Sequence, residues 1–118
     1  MLANPTSETG KTSIFAGGGA IYNRDKIDTI DAVFTANRTT SSSFALGGAI
    51  LNLGTIENLS GKFSQNVSNG GIYAMGGALM NMGEISSISN TTFRENSAVE
   101  TASGSFAYGG AIYNTGII

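Results

Sequence analysis

Phe44-Ala45-Leu46-Gly47-Gly48-Ala49-Ile50-Leu51-Asn52 decides the fold, because its nine-residue pattern occurs four times in the chain. It reads FAGGGAIYN at 15–23, YAMGGALMN at 73–81 and FAYGGAIYN at 106–114, at spacings of 29, 29 and 33 residues. Working outward, the position four residues after each closing Asn holds Ile27, Ile56, Ile85 or Ile118. Three residues later stands Ile30, Leu59 or Ile88, and then FTAN at 34–37, FSQN at 63–66 or FREN at 93–96. The third copy carries one extra residue before its Phe. Self-similarity at such a period marks a solenoid or another repeat architecture.

Helices are poorly served by this sequence, since Gly and Asn interrupt every segment. TIDAVF, NLSGKF and ISNTTF read instead as short strands bounded by Gly, Asn and Ser. About 23 patterned residues suit three short strands and three turns, one coil of a parallel β-helix, with coils ~4.8 Å apart. The expected fold is all-β: a right-handed single-stranded parallel β-helix of about four coils, with two coils per repeat as the geometric alternative. The repeats are 15–43, 44–72, 73–105 and a truncated 106–118, after a non-repeat segment or cap at 1–14. One coil alone cannot bury its apolar side chains, so neighbours must stack.

Stacking turns recurring positions into ladders. Ile21, Ile50, Leu79 and Ile112 are expected inside, as are the Ile27, Ile56, Ile85, Ile118 column and Phe34, Phe63 and Phe93. The paired glycines at 18–19, 47–48, 76–77 and 109–110 mark a bend or a close backbone approach. Asn23, Asn52, Asn81 and Asn114 form one expected amide ladder, and Asn37, Asn66 and Asn96 a second. Independent turn-forming Asn residues with a left-handed backbone are the other reading.

Composition removes most enzyme chemistry. Among 118 residues there is no Cys, His or Trp, and Gly, Asn, Ser and Thr supply 54. Disulfides, thiol nucleophiles, His-based triads and His/Cys metal sites are therefore excluded. A net charge of −2 with six Lys and Arg argues against nucleic acid, which needs a basic footprint. Hydrophobic residues reach 41%, too many for a disordered chain of such low net charge. No segment reads as a secretion signal or an apolar membrane span.

The pairing of GGAIYN, GGAILN and GGALMN with three F-x-x-N motifs resembles the polymorphic outer-membrane-protein repeat of bacterial autotransporter passengers and adhesin-like proteins. The resemblance covers about residues 15–118. It implies a right-handed β-helix exported to the cell surface or outer membrane, or secreted, with roles in adhesion and antigen presentation. Full-length members add a signal peptide and a membrane β-barrel, neither of which is read here, so the chain is expected to be a soluble segment of a longer, membrane-anchored solenoid. A host-cell protein or glycan is the implied partner.

Asp25, Asp28 and Asp31 are the only carboxylate cluster along the chain and the only metal candidates, for Ca²⁺ held by oxygen ligands. They align with Gly54, Glu57 and Ser60 of the next copy, which favours a turn and two solvent-facing columns over a metal site. Gly17-Gly18-Gly19 lacks the Lys-Ser/Thr of a phosphate loop, and no cofactor is expected. Sequons at Asn37, Asn58, Asn66 and Asn90 are expected by accident in so polar a chain. Tyr22, Leu51, Met80 and Tyr113 follow the inward aliphatic and by alternation point outward, giving a possible binding stripe unless the connectors fold over it.

The functional expectation is a non-enzymatic structural and adhesive module presenting the variable connectors 38–43, 67–72 and 97–105 to a partner. The alternative is a carbohydrate-active β-helix, a polysaccharide lyase or hydrolase, because scaffold alone does not assign function. Convergent carboxylates in a cleft would distinguish it. Open coil ends add a third expectation, self-association through unpaired edges.

Overall fold

The computed structural model describes residues 6–7, 15–100 and 104–118, and they contain no helix. The remaining positions of the 1–14 segment and residues 101–103 lie outside the described residues. The strands are β1 (Thr6–Ser7), β2 (Phe15–Gly17), β3 (Ile21–Asn23), β4 (Lys26–Thr35) and β5 (Arg38–Ser41). The second turn holds β6 (Phe44–Leu46), β7 (Ile50–Asn52), β8 (Thr55–Ser64) and β9 (Val67–Gly70). The third holds β10 (Tyr73–Met75), β11 (Leu79–Asn81), β12 (Glu84–Arg94) and β13 (Ser97–Glu100), followed by β14 (Phe106–Tyr108) and β15 (Ile112–Asn114).

All pairing is parallel and links each strand to its equivalent in the neighbouring turn. Sheet A is β1-β5-β9-β13, sheet B is β2-β6-β10-β14, sheet C is β3-β7-β11-β15 and sheet D is β4-β8-β12. The chain is thus a parallel β-solenoid with one coil per repeat: three full turns and the first half of a fourth. Ile50 sits over Ile21 and Phe63 over Phe34, so the 29-residue period is the pairing register itself. The extra residue of the third copy appears as a bulge between Ile88 and Thr91, where Asn90 takes φ 48°.

Sheet A is a correction to the sequence reading. The expected connectors 38–43, 67–72 and 97–105 begin with strands β5, β9 and β13, leaving only residues such as 42–43 and 71–72 as turns. Inward from sheet A come Thr39 and Ser68, opposite Ala45 and Ala74 of sheet B, all fully buried. Small facing side chains let these two sheets approach closely. Sheets C and D stand further apart and hold the large residues Ile30, Phe34, Ile50, Ile56, Leu59, Phe63, Leu79 and Ile85. The Phe rings stack along the axis at 4.6 and 4.8 Å between centroids.

Each corner has its own chemistry. Between sheets B and C, Gly18, Gly47, Gly76 and Gly109 turn with φ of 62–67°, a conformation open to glycine. The next glycine serves space instead: a Cβ on Gly48 would strike the Gly77 carbonyl and lie 2.6 Å from the Val67 nitrogen. Between C and D, Asn23 Nδ2 donates to Asn52 Oδ1 at 2.8 Å, Asn52 to Asn81 at 2.7 Å and Asn81 to Asn114 at 2.7 Å. Between D and A, Asn37 Nδ2 donates to Asn66 Oδ1 and Asn66 Nδ2 to Asn96 Oδ1, both at 2.9 Å. The residue before each of these Asn, namely Ala36, Gln65 and Glu95, is left-handed with φ of 54–56°.

Candidate interaction surface

Charge is distributed by sheet. No Asp, Glu, Lys or Arg occurs in segments 15–23, 44–52, 73–81 or 106–114, which form all of sheets B and C and the corner between them. Sheets A and D and the turns carry the described charges, including Lys26, Asp28, Asp31, Arg38, Glu57, Lys62, Glu84, Arg94 and Glu100. The outer face of sheets B and C is consequently an uncharged surface running over four turns.

On sheet B the middle residue of each strand is an inward Ala, so the flanking residues face outward. Phe44, Tyr73 and Phe106 form one outer column, with ring centroids 5.1 and 5.5 Å apart and nearly parallel planes. Leu46, Met75 and Tyr108 form the next. Rings stacked along the axis give their faces to each other and their edges to solvent. Phe106, the last in its column, is 50% exposed.

Tyr22, Leu51, Met80 and Tyr113 do share one column of sheet C, yet they are not an exposed stripe. Tyr22 is 41% exposed, whereas Leu51 is 1% and Met80 2% exposed, and Tyr113 is half-buried against Tyr108. The cause is the bend at Gly47. It makes the B–C corner concave, so the outer faces of the two sheets close on each other. Leu51 crosses the corner and its Cδ2 occupies the space a Cβ on Gly17 would need. The sequence offered two fates for this column, exposure or cover by connectors, and neighbouring columns provide the cover. What stays open is a groove of about 220 Å³ lined by Tyr22, Leu46, Leu51, Leu53 and Met82. Leu53 and Met82, missed by the sequence reading, are exposed residues of the column that follows each corner Asn.

The carboxylates do not converge. Asp25, Asp28 and Asp31 are exposed, and Lys26 Nζ lies 3.7 Å from Asp28 and 3.5 Å from Glu57. Among the described residues no group of three acidic side chains is placed to hold a metal ion. Asp25 sits at the C–D turn, where a Cβ on Gly54 would strike its carbonyl, so glycine in that column answers close approach. Of the sequon residues, Asn37 and Asn66 are fully buried as ladder members. Compared with family models, with curated proteins and with solved structures, the chain matches none.

Proposed function

We propose that this chain is a non-enzymatic structural and adhesive solenoid, part of a surface-displayed passenger, which holds its uncharged B–C face against a partner protein. The observation that carries the reading is the segregation of charge: four turns of aromatic and aliphatic side chains with no ionic group among them. Apolar patches of this kind mark interaction sites. The groove is of a size to take one bulky apolar side chain as an anchor. A protein is favoured over a glycan because Leu46, Leu51, Leu53 and Met82 line the groove beside Tyr22 and bring no charged group to bind sugar hydroxyls. The carbohydrate-active alternative needs paired acids, and Asp25, Asp28 and Asp31 stand exposed, with no group of three acids brought together among the described residues.

The experiment compares beads coated with the chain and with a Tyr22→Ser, Met82→Ser variant for adhesion to mammalian cell monolayers. Both residues are exposed, so the variant should keep its far-UV circular dichroism and lose adhesion. Protease treatment of the cells should abolish binding and glycosidase treatment should spare it. Undiminished binding by the variant, or loss on glycosidase treatment, refutes this function.

A further inference from the structure

We propose that the partner's docking segment is extended and acidic beside its anchor: a bulky apolar residue fills the B–C groove, and an Asp or Glu two positions away pairs with Arg24. The inference rests on the reading of that groove as the docking surface and adds the chemistry by which it selects its partner. Arg24 comes immediately after the uncharged segment 15–23. Leu53 N donates to the Asn23 carbonyl and Met82 N to the Asn52 carbonyl, both at 2.8 Å. That is the bonding of a parallel ladder, so Arg24, Leu53 and Met82 stand one above another in a single column. Leu53 and Met82 line the groove, and so does Tyr22, two residues before Arg24 in the same turn. The column thus passes from groove wall to guanidinium within one turn.

That guanidinium is uncommitted. Arg24 is exposed, and its side chain makes no ion pair or hydrogen bond among the described residues. Lys26, the next cation along the chain, is already countered by Asp28 at 3.7 Å and Glu57 at 3.5 Å. Asp25 belongs to the neighbouring column, where Gly54 packs against its carbonyl. An uncharged groove with one unopposed cation at its rim complements an apolar side chain that has a carboxylate close by. A guanidinium also holds a carboxylate through two parallel hydrogen bonds, a geometry other anchors lack. Spacing follows from strand geometry. Adjacent turns lie ~4.8 Å apart, so Arg24 starts one such step below Leu53. In an extended segment alternate side chains share a face and stand roughly 6.7 Å apart, whereas the residue next to the anchor points away. An acid two positions from the anchor therefore reaches the Arg24 side chain, and an adjacent acid does not.

The chain has no Trp, so the emission of a single-Trp peptide reports the burial of that peptide's own anchor. One probe is Gly-Glu-Ser-Trp-Ser-Glu-Gly, with acids two positions either side of the anchor. The other is Gly-Ser-Glu-Trp-Glu-Ser-Gly, of the same composition with the acids adjacent. Titrated with the 118-residue chain, the first should saturate with blue-shifted emission. It should bind about threefold to fivefold more tightly than the second, an advantage that high salt removes. Arg24→Ala should abolish the advantage and Arg24→Lys keep most of it. Arg24→Glu should prefer Gly-Lys-Ser-Trp-Ser-Lys-Gly to either acidic peptide. Arg24 is exposed, so these variants should keep the parent's far-UV circular dichroism. Equal binding of both acidic peptides, with neither held by the Tyr22→Ser, Met82→Ser variant, overturns the acid rule and leaves the groove as docking surface. Binding by that variant as tight as by the parent, or failure of every peptide to saturate, overturns both. A fluorescent fatty acid that saturates the groove where no peptide binds overturns the proposal in favour of a lipid.

Discussion

Replacing Asn66 with alanine should cost about 3–6 kcal/mol of folding free energy, far more than a polar-to-alanine change on a strand surface. Asn66 is fully buried and its side chain makes four hydrogen bonds. Its Nδ2 donates to the Phe34 carbonyl at 3.0 Å and to Asn96 Oδ1 at 2.9 Å. Its Oδ1 accepts from Asn37 N at 3.0 Å and Asn37 Nδ2 at 2.9 Å. Truncation takes a partner from four polar groups, of which Asn96 Oδ1 keeps the Asn66 main-chain amide, and a group left unsatisfied in a dry site costs ~1–3 kcal/mol. Asn96 is half-buried and regains water, which sets the lower end of the range. Aspartate at 66 keeps the shape but places an oxygen against two acceptors, and only a proton restores one bond. Its folded pKa must then lie above the unfolded value of ~3.9. The variant's deficit is therefore smallest below that value and grows as pH rises through the folded pKa. Urea melts followed by far-UV circular dichroism at about pH 4.5 and 7 measure both effects. An alanine cost below ~1 kcal/mol, or an aspartate deficit flat in pH, would show that the ladder does not hold the D–A corner.

Gly48→Ala should prevent folding or cost more than ~3 kcal/mol, because the new methyl meets the Gly77 carbonyl and the Val67 backbone; soluble yield and thermal melting check this. Gly104→Ala is the control: nothing lies within 4 Å of its Cβ, so only the left-handed backbone at φ 83° opposes it, by ~1–2 kcal/mol. Gln65→Gly should raise stability by roughly 0.5–1 kcal/mol, relief of its left-handed conformation outweighing the added freedom of the unfolded chain. High salt should barely move the urea midpoint, since Lys26–Asp28, Lys26–Glu57 and Arg94–Glu95 are exposed pairs worth ~0–1 kcal/mol each.

The spacing of like residues carried the solenoid, because in a parallel stack the sequence period is the pairing register. Phe34, Phe63 and Phe93 could be placed in one file from their numbers alone. Sheet A was illegible for a physical reason. Its inward residues Thr39 and Ser68 face alanines across a narrow gap, so no large apolar side chain recurs to announce a strand. The β-branched Thr39, Thr40, Val67 and Val99 were the available signal, overshadowed by the Ser and Gly around them. Ala36, Gln65 and Glu95 gave no warning of a left-handed backbone, since none is a residue type that favours it. The proposed interaction face was half legible. Alternation points Leu51 away from its own strand's core, but whether outward means exposed depends on the angle between two sheets, which the Gly47 backbone sets.

Why amides at two corners and glycines at a third follows from what each bend does to the backbone. At the C–D and D–A corners the chain turns main-chain groups toward the interior, where water cannot reach them. A residue there must donate and accept at once, toward its own turn and toward the turn ~4.8 Å above. Asn does both with a single rigid amide; Asp lacks the donor, and Gln is a methylene too long for the repeat. At the B–C corner the backbones of successive turns and of sheet A crowd together, as Gly48, Gly77 and Val67 show, and there is no volume for any side chain. The inward positions are thereby fixed by stacking geometry, and freedom to vary is left to the outward columns. There the chain places its charge on sheets A and D and the turns, and keeps sheets B and C free of it. No internal bond requires that division, since the outer rings would stack as well beside a lysine as beside a methionine. The partner surface proposed for the B–C face would account for it.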